Sequence, residues 1–98
     1  MSDERERKIR KYLERAFSPV ELMVKDQSHL HAGHAGARDG KGHFELIIVS
    51  ERFAGQSAIQ RHRMVYDALA PLMETDIHAL RLRTLTPAER HTQPLSIS

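Results

Sequence analysis

The sequence predicts an α+β domain: a three-stranded sheet with helices packed on one face. Two changes of hydrophobic period carry that reading, from helical spacing to alternation after Ser18-Pro19 and again from a helical stripe to alternation at Ile77. A third support is size, since 98 residues with 40% hydrophobic and 29% charged content can close one core and leave no room for a second domain. A single domain over 1–98 is expected, structured from about residue 3 to about 91, with a frayed tail from Gln93.

The first helix begins at Ser2, a capping residue followed by Asp3 and Glu4 at the positive end of the helix dipole. Ile9, Tyr12, Leu13, Ala16 and Phe17 then recur at helical spacing until Ser18-Pro19 stops the helix. In the first strand Val20, Leu22 and Val24 alternate with Glu21, Met23 and Lys25, as a half-buried strand requires. The second strand, Phe44 to Ser50, is nearly all apolar and is expected at the centre of the sheet. Between them Ser28 to Gly42 is too long for a tight hairpin and rich in glycine, which predicts a mobile loop.

Phe53-Ala54-Gly55-Gln56 reads as a turn, and Ser57 can cap a second helix whose Ala58, Val65, Leu69 and Leu72 form the inward stripe. Pro71 interrupts that helix or opens a short third one. The last strand, Ile77 to Thr84, sets His78, Leu80 and Leu82 on one face against Ala79, Arg81 and Arg83 on the other. Thr86-Pro87-Ala88-Glu89 has a cap, a proline at the first helical position and glutamate three residues after the cap, the signal of a short closing helix.

Charge and composition narrow the function. Fifteen basic residues against thirteen acidic ones give a net charge of only +2, too little to imply nucleic acid without local clustering. There is no cysteine, hence no disulfide, no thiolate nucleophile and no four-thiolate iron–sulfur site within the chain. No apolar run approaches a membrane span, and the N-terminus lacks the apolar segment of a signal peptide, so a cytoplasmic protein is expected. No serine or threonine sits in a nucleophile signature and no carboxylates pair obviously, so the chain is not expected to be an enzyme.

Seven histidines stand out. His29, His31 and His34 sit close together in the glycine-containing loop, a pattern compatible with metal binding, although solvation alone is the simpler reading of such a tract. His78 opens the last strand at the rim of the core, either as a ligand or as a histidine satisfied by a carbonyl. Arg61, His62 and Arg63, with Arg52 nearby, form a basic patch after Gly55, which suits phosphate contacts or a solvated helical face. Phe44, Phe53 and Tyr66 are expected in the core rather than as base-stacking platforms.

Arg52-Phe53-Ala54-Gly55, Arg61-His62-Arg63-Met64-Val65-Tyr66 and Ile77-His78-Ala79-Leu80 together resemble the BolA family, over the length from helix 1 to Pro87. Asp26 to His31 and His43-Phe44 also look like the boundaries of that family's first loop. The resemblance implies a type II KH-like αββααβ fold, here with an added C-terminal helix. It further implies partnership with a monothiol glutaredoxin around a shared 2Fe–2S cluster, with glutathione completing the assembly and no cluster on the isolated chain. In that family the strand histidine, matching His78, is a ligand, and the loop supplies the second; His31 matches best, with His29 and His34 as competitors. Relatives also act as DNA-binding regulators, which would place Arg52, Gly55, Arg61, His62 and Arg63 against double-stranded DNA, with Arg61 and Arg63 on phosphate. KH domains use two glycines in their RNA-clamping loop, and Phe53-Ala54-Gly55-Gln56 has one. The free chain is expected as a monomer or weak homodimer.

Overall fold

The computed structural model describes residues 2–27 and 42–92. Helix α1 (Ser2–Phe17) buries Ile9, Leu13 and Phe17, residues four apart that define one stripe. It closes through Ser18, which takes a left-handed backbone conformation at φ 45° and donates its N–H to the Glu14 carbonyl at 3.0 Å. Pro19 follows and cannot extend the helix.

Strand β1 (Glu21–Asp26) runs antiparallel to β2 (Gly42–Val49), which runs parallel to β3 (Ile77–Leu85), giving the order β1-β2-β3. The registers Leu22↔Ile48, Val24↔Leu46, Phe44↔Leu80 and Leu46↔Leu82 bring these apolar residues to the helical side, where they join the core. The central position of β2 follows from its composition, because only this strand is buried along most of its length. On the opposite face Met23, Lys25, Glu45, Ile47, Arg81 and Arg83 line up across the same registers.

The parallel connection needs a crossover, supplied by a 3-10 turn (Glu51–Phe53), α2 (Ala58–Ala68) and α3 (Ala70–Thr75). Ser50 anchors its start: fully buried, its hydroxyl donates to the Phe17 carbonyl at 2.7 Å and accepts from the Arg52 N–H at 3.1 Å. Phe53 is buried against Phe17, with ring centroids 5.0 Å apart. Gly55 turns the chain at φ 76°, and Ser57 with Gln60 forms the reciprocal capping box of α2. Pro71 lies in the first turn of α3, so it opens a helix. Helix α4 (Pro87–Thr92) starts with the expected Thr86–Glu89 box, Glu89 N–H donating to the Thr86 hydroxyl and Thr86 N–H to the Glu89 carboxylate.

Four expectations need correction. Val20 is 63% exposed because the strand starts one residue later, leaving Val20 beyond the last covered rung of the sheet. Ala58 is exposed at the first position of α2, off the buried side of the helix; Val65, Leu69 and Leu72 carry the stripe. Tyr66, next to Val65 on the helix, falls on the solvent side and is 40% exposed, whereas Phe44 and Phe53 are core residues as expected. His78 leaves the leucine face, for a reason that belongs to the site itself.

Candidate functional site

The alternation of β3 is broken at its start. Gly42 stands opposite Ile77 and His43 opposite Ala79, so β3 carries one extra residue at this point, His78. Ile77 takes the core position and is buried, Leu80 and Leu82 resume packing against the helices, and His78 is exposed. A bulge of this kind re-aims a side chain at the cost of one ladder position. The consequence is a pair of imidazoles: the rings of His43 and His78 lie 5.1 Å apart between centroids, inclined by 50°.

Both chain segments that bound residues 28–41 are tied to this end of the sheet. Gln27 donates its N–H to the His43 carbonyl at 2.7 Å, and Gly42 donates to the Asp76 carbonyl at 2.9 Å. Beside the pair an open cavity of about 420 Å³ is lined by Gln27, His43, Phe44, Glu45, Ala79, Leu80 and Arg81. His29, His31 and His34 lie outside the described residues. Among the described residues no three His, Cys, Asp or Glu side chains gather as a metal site. His78, exposed at this edge of a chain without cysteine, fits one imidazole position of a coordination sphere whose remainder comes from elsewhere, whereas His43 Nε2 is buried. Sequence reasoning saw His43 only as a loop boundary; its opposition to β3 was the missing signal, and that depends on pairing register.

The basic patch separates into two kinds of residue. Arg52, His62 and Arg63 are exposed, and Gly55 leaves open space where a side chain would stand. Arg61 is turned inward, its side chain only 12% exposed. Its guanidinium donates to the carbonyls of Gln56 at 2.9 Å and Thr84 at 3.2 Å and grips both carboxylate oxygens of Glu89 at 2.7 and 3.0 Å. It also lies over the Phe53 ring, 5.9 Å from the centroid. Arg61 therefore joins the α2 start, the end of β3 and α4, and its donors are committed within the fold rather than offered to phosphate. This contact holds the Glu89 carboxyl well below its usual range, at about 2, with the Thr86 N–H adding to the effect. Sequence reading found Glu89 as a capping residue and missed this second role.

The family model for BolA-like proteins matches residues 13–89. The chain belongs to the BolA-like family. This BolA-like chain is similar to the DNA-binding transcriptional regulator BolA of Escherichia coli K12, 45% identical over 82 residues that cover 84% of the chain and 75% of the relative. It is also similar to SufE-like protein 1, chloroplastic/mitochondrial, of Arabidopsis thaliana, 47% identical over 87 residues. That match covers 84% of the chain but only 24% of the relative, so the chain spans about a quarter of that longer protein. The solved BolA domain of SufE1 from Arabidopsis thaliana superposes with a TM-score of 0.77 at 45% identity, covering 87% of this chain and 94% of that one. The KH-like α+β architecture expected of a BolA-like domain is thus the architecture found.

Proposed function

We propose that this BolA-like protein is a binding partner of a monothiol glutaredoxin, with which it shares a bridging 2Fe–2S cluster. The observation that carries this reading is the bulge, which lifts His78 out of the core and sets it beside the two ends of the histidine-bearing segment. In this reading His78 and one imidazole among His31, His29 and His34 would serve one iron, His31 being the first choice, while glutaredoxin and its glutathione supply thiolates to the other. A mixed histidine and thiolate cluster would supply one-electron redox chemistry at a potential above that of an all-thiolate centre. The chain's own contribution is to present neutral nitrogen donors at an accessible edge; it is a binding role, not catalysis, and we place it in the cytoplasm. Among the described residues no helix is long and apolar enough to cross a membrane.

The experiment is visible circular dichroism of the chain mixed with a glutathione-loaded, cluster-bearing monothiol glutaredoxin. A new spectrum, distinct from that of the glutaredoxin alone, is expected. Replacing His29, His31 and His34 singly by alanine identifies the second donor, with His31→Ala expected to alter the bands most. Mixing that leaves the glutaredoxin spectrum unaltered refutes the proposal.

A second reading, DNA binding, is favoured by the exposure of Arg52, His62 and Arg63 around the Gly55 turn, and by the name of the Escherichia coli relative. Here Arg52 and Arg63 would contact phosphate and Arg61 would hold the framework. Affinity for duplex DNA should then fall steeply with salt, and replacing Arg52 and Arg63 by alanine should flatten the slope by about two. Salt-independent binding would count against it.

A further inference from the structure

The groove between α1 and α3 carries a second arrangement of charge, unrelated to the histidine pair. Lys8, Lys11, Tyr12 and Arg15 recur three and four residues apart, so they share one side of α1. With Pro71, Leu72, Thr75 and Asp76 they line an open cavity of about 460 Å³, within the size range of sites for small organic ligands. Asp76 is the sole carboxylate of this lining, and it is buried. It is held by Arg5 Nε at 3.4 Å, by Lys8 Nζ at 3.6 Å and by the Thr75 hydroxyl at 2.7 Å. Lys11 and Arg15 are exposed and form no ion pair among the described residues.

Three lining cations against one carboxylate leave two positive charges in excess, concentrated on Lys11 and Arg15 one helical turn apart. A dianion neutralises that excess, and a phosphomonoester carries close to two negative charges at neutral pH with three acceptor oxygens for such donors. The wall next to these cations is apolar: the half-buried Tyr12, the Pro71 ring and Leu72. We infer that the α1–α3 groove binds the phosphate of a small phosphomonoester between Lys11 and Arg15, with the ester's organic part against Tyr12 and Pro71.

Amide chemical-shift titration of the full chain with phenyl phosphate tests this, with benzoate and inorganic phosphate as partial probes. Saturable shifts confined to residues 8–15 and 71–76 are expected, tighter for phenyl phosphate than for either partial probe. The variant Lys11→Gln with Arg15→Gln, changed at two exposed positions, should retain the parent melting curve and weaken phenyl phosphate on the order of tenfold or more. Shifts that never saturate, that spread equally to Arg52 and Arg63, or that persist in the variant overturn the site. Inorganic phosphate binding as tightly as phenyl phosphate overturns the role given to Tyr12 and Pro71.

Discussion

Arg61→Ala is the perturbation for which the structure gives the most definite magnitude. The substitution strips hydrogen bonds from two carbonyls and leaves Glu89 without its bidentate partner. Hydrogen bonds to charged groups are worth roughly 1.5–3 kcal/mol each when buried, but Glu89 is 37% exposed and water can replace part of what is lost. The carbonyls add about 1 kcal/mol together, being near the surface at the helix and strand ends. A net cost of roughly 2–3 kcal/mol follows, against a total stability of about 5–15 kcal/mol for a domain of this kind. For a chain of this length that lowers the melting temperature by roughly 10–20 °C. Urea and thermal unfolding followed by far-ultraviolet circular dichroism measure it, and a cycle with Glu89→Ala should show a coupling of about 1 kcal/mol. A melting temperature within about 2 °C of the parent, or a coupling near zero, would refute the buttress role of Arg61.

The same contact sets an acid limit. Because the Glu89 carboxyl ionises more readily in the fold than its ordinary 4.5, its contribution is complete above that value and is lost as pH falls toward about 2; Glu89→Gln should flatten this part of a stability-against-pH curve. At Asp76 burial works against the charge, but the Thr75 hydroxyl, Lys8 and Arg5 together outweigh it and lower its pKa, so Asp76→Asn should remove acid sensitivity in the same direction. Gly55→Ala should cost about 1–2 kcal/mol in urea unfolding, from the φ of 76° alone, since an added methyl group would touch nothing within 4 Å. Ser50→Ala leaves the Phe17 carbonyl without its buried donor and should cost about 1–3 kcal/mol, measured the same way.

Much of the fold is legible because local signals agree with one another. The change of period at Pro19, the Ser57 and Thr86 capping boxes and the apolar run of β2 each specify an element without reference to the rest of the chain. Val20, Ala58 and Tyr66 mislead because burial at the ends and flanks of an element depends on what packs against it, which pattern alone does not contain. The site is legible in its residues and not in its geometry. Unbroken alternation puts His78 beside Leu80 and Leu82, and a one-residue bulge becomes visible only when β2 and β3 are placed in register. For the same reason the closeness of His43 to His78 and the grip of Arg61 on Glu89 escape the sequence, each joining residues 28 or more positions apart.

The central claim is that His78 stands at the surface to complete a metal centre with another protein. It is tested most directly with His78→Ala in the complex with cluster-bearing monothiol glutaredoxin. The side chain is exposed, so the free variant should melt within about 2 °C of the parent. The account predicts that the distinctive visible circular dichroism of the mixed complex collapses to that of the glutaredoxin alone. A variant complex whose spectrum matches the parent's would contradict it.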